Sequence, residues 1–357
     1  MRKSYFLMAA AATMFAACSQ SDVLNEVQVQ DEAQAIGFST YAGKVTRAEN
    51  SYETLTDGLN AHHESFIVWG YKNTTTAYVF NSIGVNYQGG TWAYSPTKYW
   101  DKAAKTYEFY AAAPNNGNWV LNTRTDAQND DYFTYANLEL KDETHSSTAY
   151  QESFKTLTGN TDLMIASPKK VLQYQILGAE KVTFDFNHIL SRLNITVRKD
   201  ANLNGEEVVL KSISVKGLVN IASFSEETEA VAAGTTERWT KTDNTYTLTG
   251  NGLNPVTTNS MFVLQSLVIP QEVAYEDVDR DGSTVESHPY IYLEYTIGGE
   301  PFNATYNLAN AFAKADKVAF NEGWQNTLNI TINAEKIVFD AVVFNWEDGT
   351  TNDKVID

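Results

Sequence analysis

The residues that could do chemistry are few and scattered. Asp277-Val-Asp279-Arg-Asp281-Gly282 sets three carboxylates at alternate positions before a glycine. That is the first half of an oxygen-ligand calcium loop. The twelfth position of such a loop should be a bidentate Glu; here it is His288, and Glu286 comes two places early. Asp277, Asp279 and Asp281 are thus candidate ligands for calcium, and no other cofactor is expected. The competing reading is a hairpin tip turned by Asp281-Gly282. His62-His63-Glu64 begins like a zinc motif, but no second histidine follows at helical spacing, which leaves a solvated turn. His188 reads as a hydrogen-bonded core residue rather than a base. There is no Gly-x-Ser-x-Gly elbow, phosphate loop or dinucleotide fingerprint. Trp92, Tyr94, Tyr99 and Trp100 could stack on a sugar, or could divide between a core face and cross-strand pairs. No constellation supports an active site, so a non-enzyme is expected.

Cys18 is the only cysteine in 357 residues. Ahead of it, Arg2 and Lys3 form a charged start, Tyr5 to Phe15 an apolar run too short to span a bilayer, and Ala16-Ala17 a small-residue ending. This is a secretory signal, residues 1–17. Small-small-Cys suits lipid attachment at the Cys18 thiol and anchoring in the outer membrane; an ordinary signal cut near Ala17 is the plainer alternative. Ser19 to Ala35 is polar and acidic, as a tether would be. Losing Arg2 and Lys3 with the signal takes the net charge from −18 to −20, which repels nucleic acid.

The elements that follow are strands. Tyr (20), Phe (17) and Trp (7) are abundant and Pro (7) is sparse. Short alternating runs between turn clusters predict an all-β chain. Ile36 to Tyr41 is the first strand, with Ile36 and Phe38 on one face. Phe66 to Tyr71, Ala77 to Phe80, Val85 to Ser95 broken at Gly89-Gly90, and Thr106 to Tyr110 follow. Asn115 to Lys155 reads as long loops except Tyr132 to Leu140. Val182, Phe184 and Phe186 share a face; past Asn187-His188 the period resumes with Leu193, Ile195 and Val197 inward and Asn194 and Thr196 outward. That break reads as one bulged strand or two strands at a corner, with a helical turn at His188 to Leu193 as the plainer alternative. Ala230 to Arg238 is a linker candidate. Ile291 to Ile297 and Phe302 to Leu308 form a hairpin at Gly298-Gly299. Ile337 to Trp346 closes the pattern. About seven strands on each side of residue ~225 would suit two β-sandwiches.

Several pieces together resemble one family. They are the lipoprotein start, Val45-Thr46-Arg47, Trp92-x-Tyr94, Tyr99-Trp100, Phe109-Tyr-Ala111, Pro114, Asp162 to Ala166, Phe186-x-His188, Ser191-Arg-Leu193, Val268-Ile-Pro-Gln271, Gly323-Trp324 and Ile337 to Trp346. In that order the chain resembles the fimbrillins, pilus subunits of type V fimbriae. The resemblance implies two tandem transthyretin-like β-sandwich domains, here 48–222 and 223–357, after a lipidated tether and removable strand, 18–47. It implies cleavage by an Arg-specific protease between Arg47 and Ala48. Loss of the first strand, carrying Ile36 and Phe38, would open a groove for another fimbrial subunit by donor-strand complementation. The expected place is the outer-membrane surface and the fimbrium. A host or bacterial surface ligand is a further expected partner. The polar stretch after Trp346 leaves stalk, tip and accessory roles equally open. The alternative function is a surface-anchored lipoprotein that binds glycan or host protein without polymerising.

Overall fold

The computed structural model describes residues 33–42, 64–73, 77–123, 131–145, 160–178, 180–227, 237–251, 255–274, 288–312, 317–334 and 337–345. The signal segment, Cys18, Arg47, Ala48, His62, His63, Asp277, Asp279, Asp281, Trp346 and most of the 230–238 linker lie outside those residues. What is described is all-β apart from two short α-helices and a 3-10 turn at Ala201–Leu203.

β1 (Phe38–Ala42) leads, followed by β2 (Ser65–Lys72), β3 (Tyr78–Gln88) and β4 (Thr91–Ala93). Gly89 and Gly90 turn β3 into β4 at φ values of 56° and 86°, a region that favours glycine. β5 (Thr106–Ala113), β6 (Trp119–Asn122), β7 (Tyr132–Glu139) and β8 (Glu143–His145) come next. β9 (Met164–Ala166) and β10 (Lys169–Leu172) lead into α1 (Gln173–Gly178). Then come β11 (Val182–His188), β12 (Ser191–Lys199), β13 (Val208–Val219) and β14 (Ile221–Ser225). β15 (Trp239–Lys241), β16 (Thr245–Asn251), β17 (Met261–Val268) and β18 (Gln271–Ala274) follow. β19 (Tyr290–Ile297) and β20 (Glu300–Asn307) form the expected hairpin. α2 (Leu308–Phe312), β21 (Lys317–Phe320), β22 (Trp324–Ile332) and β23 (Ile337–Asn345) complete the described chain.

The largest sheet runs β1-β11-β9-β5-β2-β3-β4, with β10 added against β5. One of its faces packs on the sheet β15-β14-β7-β6. Trp69 and Tyr110 meet Phe133 there, with ring centroids 5.6 and 6.5 Å apart. Its other face curls around a separate core of Phe66, Phe80, Phe109, Phe184 and Phe186. The sheets β20-β19-β13-β16-β8 and β17-β12-β22-β23 bury Ile213 and Val215 with Leu193, Ile195 and Val197 in one cluster. Their backbones come close enough at Gly250 that a Cβ there would sit 2.5 Å from the Val263 carbonyl oxygen. Alanine at 250 would therefore push β16 and β17 apart.

Four sequence expectations meet a different outcome or a finer one. The break at Asn187-His188 is a corner between two strands, because β11 pairs with β1 and β9 while β12 pairs with β17 and β22. Asn194 and Thr196 are buried rather than outward. β12 is central in its sheet, and its polar side chains reach β22, Thr196 Oγ1 lying 2.6 Å from Asn329 Oδ1. The expected loops of Asn115 to Lys155 also hold β6 and β8. β6 has only two inward residues, Trp119 and Leu121, too few to make a period. Lastly, position 222/223 falls inside β14, and sheet membership interleaves across it. β8 pairs with β16, whereas β14 and β15 join β7.

The corner at His188 is held by a buried pair. His188 Nδ1 lies 2.5 Å from Asp162 Oδ2, and both residues are almost fully enclosed. This agrees with the reading of His188 as a hydrogen-bonded core residue.

Candidate functional site

The segment 34–42 is seated between two parts of the chain far from it in sequence. Its first half runs along residues 98–100. The Ile36 N–H donates to the Lys98 carbonyl oxygen at 2.9 Å, and the Trp100 N–H donates to the Gln34 carbonyl oxygen at 2.9 Å. Ala35 and Tyr99 form an antiparallel bridge. Its second half then switches partner. Phe38 to Ala42 pairs in parallel with Val182 to Phe186, and the Val182 N–H donates to the Gly37 carbonyl oxygen at 2.9 Å. β1 is therefore the terminal strand of its sheet on the β11 side, and residues 94–100 strap the segment leading into it. Without 34–42, β11 would present a row of unpaired N–H and C=O groups.

Alternation decides what the segment buries. Ile36 and Phe38 point inward and are 1% and 3% exposed. Five rings surround Phe38, with centroid separations of 6.1 Å to Phe66, 5.4 Å to Phe80, 5.4 Å to Tyr94, 6.2 Å to Phe109 and 5.7 Å to Phe184. Phe184 is stacked and Phe66, Phe80 and Phe109 are edge-on, geometries that aromatic quadrupoles favour. Full burial of each such side chain contributes about 1.5–3 kcal/mol. On the outward side, the hydroxyls of Ser39 and Thr183 are hydrogen-bonded at 2.7 Å.

Tyr94 closes the strap over the segment. Its hydroxyl donates to the Ile36 carbonyl oxygen at 2.7 Å and accepts from the Lys98 N–H at 3.3 Å. Burial raises the Tyr94 phenol above its ordinary value. The neutral phenol is the form that donates, so its contribution is complete below the ordinary phenol pKa. It is lost as pH rises through the raised value. The far end of the strap is fixed at Asp101, whose N–H donates to the Tyr107 hydroxyl at 3.0 Å. The Lys72 ammonium, hydrogen-bonded to Asp101, holds that carboxyl below the usual range. Tyr94→Phe keeps the ring and removes the donor. The expected loss is about 1 kcal/mol, with faster amide hydrogen exchange at Ile36 than in the parent protein. Unchanged exchange there would mean that Tyr94 does not hold the segment.

The aromatics that could have formed a sugar platform do something else. Trp100 is 5% exposed and edge-on to Tyr107 at 4.9 Å. Trp92 packs edge-on to Phe66 at 4.8 Å, and Tyr94 is the clamp just described. Tyr99 alone of the four is largely exposed, at 52%. Trp92, Tyr94 and Trp100 pack on the curled core, and Tyr99 is not part of it. Among the described residues, no group of three or more His, Cys, Asp or Glu could hold a metal. No helix among them is long and apolar enough to cross a membrane. Arg47 and Ala48 lie in the stretch between β1 and β2, so a cut there would sever the seated segment from the rest of the chain.

The fimbrillin-like family matches residues 46–346, which leaves the seated segment 34–42 outside the matched region. Among solved structures, a fimbrial protein from Bacteroides vulgatus ATCC 8482 is similar at TM-score 0.48 and 14% identity, over 88% of this chain and 99% of that one. A protein assigned to cell adhesion from Bacteroides uniformis ATCC 8492 is similar at TM-score 0.47 and 17% identity, over 89% and 100%. Another so assigned, from Bacteroides ovatus ATCC 8483, gives 0.46 and 16%, over 88% and 98%. No curated protein matches.

Proposed function

The chain belongs to the fimbrillin-like family, and from that premise we propose that it is a fimbrial subunit assembled by strand exchange. Its role is structural and adhesive, at the cell surface. Segment 34–42 is a provisional strand. Cleavage between Arg47 and Ala48 frees it, and the strand of a neighbouring subunit takes its place. Cys18 carries the lipid that brings the precursor to the outer membrane, and Ser19 to Ala35 tethers it, with Gln34 and Ala35 of that stretch already paired to Trp100 and Tyr99. The two pairs of facing sheets act as two sandwich bodies, the first of which carries the groove.

The observation that carries this reading is the seating of Ile36 and Phe38. Both are buried, and the segment is hydrogen-bonded on both sides. A simple tether has no reason to bury two large apolar side chains. β1 can leave without interrupting a sheet, because it is a terminal strand. β23 is likewise a terminal strand, pairing with β22 along all nine residues and burying Ile337 and Ala341.

The test is the N-terminal residue of the protein recovered from the cell surface. Ala48 is expected in assembled material. Arg47→Ala should leave lipidated precursor that folds but does not enter fimbriae. Normal assembly of that variant would contradict the proposal and favour a tethered binder that never polymerises.

A further inference from the structure

The lining of the groove is uneven, and this bears on which strand it accepts. At the Ile36 position the side chain is aliphatic and enclosed. At the Phe38 position five aromatic rings stand around the side chain, with centroids 5.4 to 6.2 Å away. Gly37 faces the other way, and the atoms nearest a Cβ there would be those of the Lys181 side chain, its Cγ at 3.2 Å, so that this exposed lysine would have to shift by a few tenths of an ångström. Ser39 also faces outward, onto the Thr183 hydroxyl. One position is therefore tightly shaped and its neighbours are tolerant.

Resting on the strand-exchange reading above, we infer that the groove selects its incoming strand by a single aromatic anchor. The partner is a strand of another subunit with an aliphatic residue, any small or flexible-facing residue, then a Phe-sized ring seated where Phe38 sits. A hydroxyl residue next to the ring reproduces the bond to Thr183. The cage of five rings is the specificity element. A smaller side chain leaves a cavity between Phe80, Phe109 and Phe184 that fixed rings cannot fill, and a charged one strands its charge among them. Backbone pairing with β11 is indifferent to side chain and supplies affinity without choice.

The experiment uses the full-length protein cleaved after Arg47, with the freed segment still seated. A fluorescent peptide copying residues 34–42 is exchanged in, and unlabelled variants of that peptide compete. The parent peptide should exchange. Phe38→Ala should compete about 100-fold more weakly, the scale of an aromatic truncation in a closed core. Phe38→Leu should be about tenfold weaker, while Gly37→Ser should stay within about threefold because it faces a movable lysine. If Phe38→Ala competes as well as the parent, the anchor rule is overturned while strand exchange stands. If no peptide exchanges, although cleavage is complete, strand exchange and the anchor rule both fall.

Discussion

Phe38→Ala is expected to destabilise the uncut protein by about 3–5 kcal/mol, the range for removing an aromatic ring from a closed core. The measurement is a denaturant midpoint at unchanged m-value. Three facts place the effect at the upper end for a residue so near the edge of the fold. The side chain is 3% exposed, so the whole ring is lost from a dry site. Its neighbours belong to β2, β3, β5, β11 and the strap, and one collapse cannot bring all of them inward. Edge-to-face contacts are also lost, beyond the area term. Phe302→Ala is the control. That ring is 44% exposed and stacks on Tyr295 alone among the described rings, at 5.6 Å, so its loss should be about 1 kcal/mol. A loss at Phe38 no larger than at Phe302 would mean that the segment is not part of the folded core.

The inward pair Ile36 and Phe38 was legible in the sequence, because alternation around Gly37 reports which side chains share a face. The same holds for Phe184 and Phe186 and for the hairpin at Gly298-Gly299. Alternation does not report the partner. Nothing near Phe38 indicates parallel pairing with Val182 to Phe186, and nothing near Tyr94 says that its hydroxyl will reach the Ile36 carbonyl. Both contacts are made across long stretches of chain by the curl of a sheet. The strap shows in the sequence only as a set of aromatics, because Trp92, Tyr94, Tyr99 and Trp100 carry the same spacing whether they cover a core or face a ligand. Asn194 and Thr196 looked outward because their side chains are polar. A central strand buries both faces, and those polar groups are satisfied across β12 and β22. β8 could not be placed by pattern, since three residues hold no period and its partner β16 lies about 100 residues on.

The central claim is that assembly requires 34–42 to leave its groove, and a lock on that segment tests it most directly. Ser39 and Thr183 face each other across β1 and β11 with their hydroxyls 2.7 Å apart. Cysteines at both positions would place two sulfurs within bonding reach, on backbones already spaced as adjacent strands. Cys18, the only native cysteine, is occupied by lipid in the proposed pathway, and each single-cysteine variant serves as a control. Ser39→Cys/Thr183→Cys should still be cut at Arg47 when oxidised, since the lock does not touch the cleavage site. Severed from the chain yet bonded to β11, the segment should then stay in place and assembly should fall to background. Reduction should release it and restore polymers to the level of the single-cysteine controls. Polymer formation by the oxidised, fully cleaved protein at the level of the reduced one would contradict the account, because subunits would then be joining without the groove.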